Sequence, residues 1–517
     1  MDRVGGLIAG RLRAAGVRRA YGFPGGGSNL ELIDAFADAG IDWVLTHTET
    51  GAGFMACAEA ELGEAPGVLV VGNGPGLTSA VNAVAHAALD RVPLVVISDR
   101  YTEAEAATTG HQVLDQRALL APLVKFGATV EPEGFTEVLE HALAVALEHP
   151  RGPVHLDMPR TVAREAVRAG APRGSTAVVG APHVERVARV LAGARRPVIL
   201  VGLEARACEP LARLAHRIGA AVLTTYKAKG VYPEDDARWA GILTGGVIER
   251  PVLAAADAIL AVGLDPVELL GRPWPYAAPV ASLRAGGGDD DYLAPRARSR
   301  GPLEAALCAL SVPAGEGFPL DEVGALREQA LASLRLRPQE PLTGWKVVET
   351  LNELRPEIIT IDAGAHMLPA TMFARARRTL ISNGLATMGF AVPAAIGAAL
   401  ARPDRVVVAL TGDGGLAYHL AELETAARLG ARVIVVVFND ASLSLIRIKH
   451  EANGRPRAPL DFTRSAFDVV ASGLGLRGVR ARTVPELRAA LTGEGSMLID
   501  VQLSGAEYGE TLRAIRG

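Results

Sequence analysis

The chain has 517 residues, 49% hydrophobic and 21% charged, with a formal net charge of −4. This length fits about three domains, the apolar content excludes a disordered chain, and the charge gives no sign of nucleic-acid or anionic-membrane binding, so neither is expected. Cys57, Cys208 and Cys308 stand far apart without disulfide or zinc spacing, no apolar run approaches membrane-spanning length uninterrupted, and the first dozen residues lack a signal-type core, so a cytoplasmic protein is expected.

From the amino terminus, short apolar runs alternate with alanine-rich helical stretches. Residues 21–23 precede Pro24-Gly25-Gly26-Gly27, residues 43–45 precede 46–49, residues 68–71 precede Gly72-Asn73-Gly74-Pro75-Gly76, and residues 94–97 precede Ser98-Asp99. Strands alternating with helices predict a doubly wound parallel sheet, assigned to residues 1–170. Glu49 follows a strand and precedes a small, apolar helix from Gly51. Partial burial there should raise its pKa and let it share a proton; a glutamate favoured by the helix dipole is the alternative. Gln112 falls in a loop, where its amide either orients a ligand or is solvated. Residues 172–180 read as a linker.

The second block, 181–315, repeats the alternation, with apolar runs at 197–202, 221–225 and 258–263. Lys227 and Lys229 follow one of these strands; lysines are mostly exposed, though either could hold a carboxylate. Residues 285–291 read as an exposed loop. Val201-Gly202 gives weak grounds for a flavin site. Stretches 313–319 and 335–341 bracket the connection to a third α/β block, 342–517. No fixed short period appears, although the first and third blocks could be distant structural repeats.

In the third block a strand at 357–361 runs into Asp362-Ala363-Gly364-Ala365-His366. The run 405–411 has the length and β-branching of a buried parallel strand and ends on Gly412-Asp413-Gly414-Gly415. Leu416, Leu420, Leu423 and Ala427 recur at helical spacing, with Gly430 as C-cap. A second apolar strand then ends on Asn439-Asp440. One β-α-β unit makes these strands parallel neighbours, so Asp413 and Asp440 should lie side by side where open α/β sheets bind ligands. Two hard carboxylates, with Gly414 and Gly415 exposing N–H groups at a helix start, suit a divalent cation bridging to a diphosphate. The alternative is an ordinary β-α-β unit with solvated carboxylates. Residues 473–478 spell G-x-G-x-x-G but follow a helical stretch, so they lack the nucleotide-binding context.

Gly412-Asp413-Gly414, twenty-four residues and then Asn439-Asp440 resembles the thiamine-diphosphate motif of acetolactate synthases, pyruvate decarboxylases and their relatives. That motif usually ends Asn-Asn; Asp440 keeps an oxygen ligand and adds a charge. The likeness covers nearly the whole chain. Pro24-Gly25-Gly26, Gly74-Pro75-Gly76, residues 153–157 and residues 384–395 look like acetolactate synthase counterparts. The family's pyrimidine-binding, central and diphosphate-binding domains line up with the three blocks.

The resemblance implies thiamine diphosphate and Mg2+, the cation held by Asp413, Asp440 and the main-chain carbonyl of Ser442. It implies that Glu49 bonds the aminopyrimidine and promotes the imino tautomer that removes the thiazolium C2 proton. The flanking His47, Thr48 and Thr50 depart from the family's Arg-His-Glu-Gln segment. Pro24, Gly25, Gly364, Ala365, His366, Ala386, Gly412, Gly414, Gly415 and Leu443 carry over as cofactor neighbours, and Gln112 as a group facing substrate. Met388 matches the apolar wedge between the two rings; a core-filling methionine is the alternative. Lys227 and Lys229 lie in a segment resembling a central-domain loop near the family's active site. FAD, which acetolactate synthases often bind in that domain, is left undecided.

On this resemblance the substrate is a 2-oxo acid, and the protein is a homodimer or homotetramer with active sites between subunits. Pyruvate decarboxylases carry a second glutamate in the helix after Asp440, which helps protonate the intermediate. This chain has Ile446 there, and acetolactate synthases are also apolar at that point. Transfer of the enamine to a carbonyl acceptor is therefore expected over aldehyde release. The rivals are a simple 2-oxo acid decarboxylase, a Mg-dependent phosphotransferase using Asp413 and Asp440, and a non-catalytic binding protein of the same fold. Arg447, Lys449 and His450 read as a solvated helix end or as contacts to a charged substrate.

Overall fold

The computed structural model describes residues 2–167, 183–205, 209–268, 273–286, 291–455 and 458–517. The expected linker at 172–180 lies outside them, as do residues 287–290 of the loop expected at 285–291. Three six-stranded sheets carry the fold, each with every strand parallel to its neighbours. Inner strands such as Gly67–Val71, Pro197–Val201 and Ala258–Val262 are buried along their whole length, as parallel sheets covered on both faces require. The expected three α/β units are therefore present. A short antiparallel ribbon, Asp2–Arg3 with Ala166–Val167, ties together the two ends of the first.

The first sheet runs Asp42–Leu45, Arg19–Phe23, Gly67–Val71, Leu94–Arg100, Pro153–Pro159, Phe126–Thr129, or 2-1-3-4-6-5 in chain order. The third runs Arg378–Ile381, Ile358–Ile361, Val407–Gly412, Val433–Asn439, Met497–Gln502, Arg477–Ala481, which is the same order. The central sheet differs. Trp239–Leu243, Ala221–Thr225, Pro197–Val201, Ala258–Val262, Val280–Arg284 and Ala297–Arg300 follow 3-2-1-4-5-6. Between the second and third sheets, helix Leu320–Ala332 packs back onto Trp239–Leu243, so much of the expected connection belongs to the central core.

Small residues bring the first and third units together. Helix Glu49–Leu62 lies against helix Ala391–Ala401, and a Cβ on Gly397 would stand 2.4 Å from the Met55 carbonyl oxygen. The helix expected at 416–430 is two helices, Asp413–Tyr418 and Glu422–Arg428. The break turns the buried Glu422 carboxylate to the first unit, where it accepts from Thr48 N (3.0 Å), Thr48 Oγ1 (3.0 Å) and His47 N (3.2 Å). Gly430, at φ 62°, closes the second helix as expected. Among the described residues no helix is long and apolar enough to cross a membrane.

Candidate functional site

Three adjacent strands of the third sheet end together. Ile358–Ile361 delivers 362–366, Val407–Gly412 delivers Asp413 to Gly415, and Val433–Asn439 delivers Asp440. Their register sets the spacing, Ile361 opposite Leu410 and Gly412 opposite Phe438. These ends enclose a cavity of about 180 Å³. Every third-block residue expected near the cofactor lines it: Gly364, Ala365, His366, Ala386, Met388, Gly412, Asp413, Gly414, Gly415, Asp440, Ser442 and Leu443. Ile446 and Tyr508 complete the wall.

Two buried carboxyl groups set the electrostatics of this cavity. Burial, and then the Asp440 carboxylate, push Asp413 up to about 6, against hydrogen bonds from the Gly414, Ala441 and Ser442 N–H groups. Burial also pushes Asp440 upward, against the Ser444 hydroxyl and the Arg447 and Arg464 guanidinium groups. Asp413 Oδ2 is buried without a hydrogen-bond partner. An orphaned carboxylate oxygen facing a second carboxylate is the arrangement that a divalent ion satisfies. No group of three or more His, Cys, Asp or Glu side chains placed to hold a metal ion occurs among the described residues. A cation held here would therefore complete its shell from main-chain carbonyls, ligand oxygens and water, as a hard ion does.

The floor suits a diphosphate. A Cβ on Gly412 would lie 3.2 Å from His366 Nδ1, one on Gly414 3.2 Å from Met388 Cε, and one on Gly415 2.3 Å from Asp362 Oδ2. His366 stacks on Phe438 at 5.5 Å. Burial lowers its pKa to about 4, so the ring is neutral near pH 7, and its buried Nε2 has no partner.

Two acids outside the recognised pattern seat the wall that carries Met388. Asp362 accepts from Thr411 Oγ1 (2.9 Å), Gly389 N (3.0 Å) and Phe390 N (3.2 Å). Asp90, from the first unit, accepts from Asn383 N (2.9 Å) and Gly384 N (3.2 Å). Between these anchors Ala386 is held at φ 53°. Gln112 (φ 59°) and Ala441 (φ 57°), also at or beside the candidate site, share this left-handed backbone. Non-glycine residues persist there only where their surroundings over-determine them.

The first-block candidates Pro24, Gly25, Glu49 and Gln112 line a second cavity of about 280 Å³. Thr48 caps the helix, its Oγ1 accepting from Gly51 N at 3.0 Å, which leaves Glu49 half-buried at the first helical position. Asp99 and Arg160 share this cavity and were not singled out from sequence. Burial pushes Asp99 up to about 6 despite hydrogen bonds from Gly27 and Asn29 N–H. Within one chain the two cavities share no lining residue.

Three expectations need correction. Lys227 and Lys229 are not exposed and line neither of these cavities. Lys227 pairs with Glu61 (2.9 Å) and Asp90 (3.4 Å), and Lys229 with Glu234 (2.7 Å). Arg447 is buried beside Asp440 and is no solvated helix end, whereas Lys449 is exposed.

Comparison with known proteins agrees with this geometry. Residues 2–119 match the thiamine pyrophosphate enzyme N-terminal TPP binding domain, 184–283 the central domain and 362–501 the C-terminal TPP binding domain. A probable 2-ketoarginine decarboxylase of Pseudomonas aeruginosa is 33% identical over 481 positions, covering 84% of this chain and 81% of its own. A probable acetolactate synthase large subunit of Methanocaldococcus jannaschii is 28% identical, covering 96% of this chain and 91% of its own. The acetolactate synthase of Bacillus subtilis is 27% identical, covering 96% and 92%.

Proposed function

The chain belongs to the thiamine pyrophosphate enzyme family, and from that premise we propose that it is a Mg2+-dependent 2-oxo acid decarboxylase that passes an acyl-anion equivalent to a second carbonyl. Bound thiamine diphosphate supplies a carbon nucleophile and electron sink. Asp413, Asp440 and the Ser442 carbonyl would hold the cation, and His366 Nε2 with the glycine floor would meet the diphosphate. Met388 would press between the cofactor's rings. Glu49 would hold a proton on the aminopyrimidine, and Gln112 would orient the substrate's oxo acid group.

The observation that carries the transfer reading is the apolar side chain of Ile446 on the third-unit cavity wall. Among the described residues of the third unit, the only carboxylates lining its cavity are Asp413 and Asp440, both committed to the cation. Ile446 presents an apolar surface instead, so protonation of the fragment is slow and a carbonyl acceptor can compete. Similarity to a protein named as a decarboxylase supports plain aldehyde release as the second reading. Ile446→Glu separates them. With pyruvate and excess aldehyde, the wild type should form a 2-hydroxy ketone and the variant should shift toward free aldehyde. Aldehyde as sole wild-type product under saturating acceptor overturns the transfer reading.

A homodimer or homotetramer completes the site by joining Glu49 of one chain to Asp413 of another. The separateness of the two cavities supports this. So do exposed apolar side chains beside them, Phe23 and Val113 at one, Tyr418 and Phe462 at the other. Mixing inactive Glu49→Gln and Asp413→Ala proteins under subunit exchange should restore activity, and no restoration contradicts the shared site.

A further inference from the structure

The central sheet has a strand order that elsewhere binds dinucleotides. In a 3-2-1-4-5-6 sheet the crevice opens between the first and fourth strands, and the ligand's phosphates dock on backbone N–H groups after a glycine turn. Here those strands are Pro197–Val201 and Ala258–Val262, followed by Gly202 and Gly263. The topology and glycines of a nucleotide site are present.

Its donors are already taken. The buried Glu268 carboxylate accepts from Leu203 N at 2.8 Å, from Asp265 N at 3.1 Å and from the Thr225 hydroxyl. Glu204 grips Arg284 with both oxygens, at 3.0 and 2.7 Å. Asp265 faces Arg284 at 3.5 Å and Arg91 of the first unit at 3.2 Å. The gap between the strand ends is closed as well: a Cβ on Gly202 would stand 2.4 Å from Leu264 Cα and 2.7 Å from Glu268 Oε2. Among the described residues of this edge, three carboxylates meet two guanidinium groups, a balance that disfavours a diphosphate.

We propose that the Glu268 carboxylate stands where a phosphate would, so that the central unit is a self-liganded nucleotide crevice that takes neither flavin nor adenine nucleotide. The crevice instead joins units. Arg91 bridges to Asp265, and Val267, one residue before Glu268, lies 2.8 Å from where a Cβ on Gly384 would fall. That contact braces the loop leading to Ala386 and Met388.

The test uses the full-length protein with thiamine diphosphate and Mg2+ present, so that the catalytic cavities are engaged. FAD and ADP are added separately, excess ligand is removed by gel filtration, and retention is read by flavin absorbance and by calorimetric titration. Wild type should retain no flavin and release no heat with ADP. Stoichiometric retention of either overturns the proposal. Glu268→Ala frees the Leu203 and Asp265 N–H groups, so ADP should raise its melting temperature while leaving the wild type's unchanged. Glu268→Gln, which keeps the shape, should fold and stay unresponsive. A folded Glu268→Ala protein unresponsive to ADP also counts against the carboxylate acting as a phosphate surrogate, and if that variant does not fold, the wild-type titration decides alone.

Discussion

Asp90→Ala should loosen the Met388 wall without altering a residue of either candidate cavity. The buried carboxylate holds the Asn383 and Gly384 N–H groups and faces His86 at 3.1 Å and Lys227 at 3.4 Å. Burial alone would raise its pKa, but Lys227 and His86 more than offset this and hold the carboxyl well below the usual carboxylate range. Truncation leaves Lys227 with Glu61 as its remaining carboxylate and strips three loop N–H groups, those of Asn383, Gly384 and Leu385, of their acceptor. Breaking a buried ion pair from one side costs about 3–5 kcal/mol. An orphaned buried N–H adds about 1–3 kcal/mol, and because coupled losses do not add fully, about 4–6 kcal/mol of stability should be lost near neutral pH. Asp90→Asn keeps an acceptor for the loop while removing the charge, so its loss of cofactor affinity should be smaller than that of Asp90→Ala. The sign with pH follows from the depressed folded-state pKa. The carboxylate's contribution is full above its unfolded value of about 4 and is lost as pH falls through the folded one. Urea unfolding of the cofactor-free protein, near neutral pH and in acid, with calorimetric titration of thiamine diphosphate, measures both effects. A loss below about 0.5 kcal/mol, within the range of ordinary surface changes, with unchanged cofactor affinity would refute the reasoning. So would a gap between variant and wild type that widens in acid.

Glu49→Gln should leave the fold and most cofactor binding intact while slowing the reaction by roughly 10²–10⁴, the usual effect of removing an acid–base group; unchanged exchange of the cofactor's C2 proton by NMR would remove Glu49 from the chemistry. Asp413→Ala should abolish Mg2+-dependent cofactor retention, and Asp440→Asn should preserve it. Because Asp413 titrates at about 6 before a cation binds, and binding displaces its proton, Mg2+ affinity should fall about tenfold per pH unit below that point and level off above it. Asp440→Asn should move the break to lower pH, and a pH-independent affinity contradicts the pairing. Gly415→Ala places a Cβ 2.3 Å from Asp362 Oδ2, so it should cost about 1–3 kcal/mol by overpacking and weaken cofactor binding; wild-type melting and affinity would count against the glycine floor.

Much of the third-unit site was legible because its geometry is local. A β-α-β connection usually joins parallel neighbours, and that expectation set Asp413 beside Asp440. The helix break before Glu422 was not legible, since the carboxylate beyond it meets Thr48, 374 positions away in the chain. Lys227 defied the surface habit of lysine for the same reason: its partners Glu61 and Asp90 come from another unit. Asp90 and Asp362 act as acceptors for loop N–H groups, a role with no periodicity to betray it. The contrast between 2-1-3-4-6-5 and 3-2-1-4-5-6 strand orders was equally hidden, because both read as alternating strands and helices.

Release of carbon dioxide from a panel of 2-oxo acids, with carbon products identified by NMR, tests the central claim most directly. The expected result is release that requires both thiamine diphosphate and Mg2+, disappears in Asp413→Ala, and yields a 2-hydroxy ketone or a 2-hydroxy-3-oxo acid when an aldehyde or 2-oxo acid acceptor is supplied. No release above the cofactor-free control with any acid of the panel, or release that survives in Asp413→Ala, would contradict it.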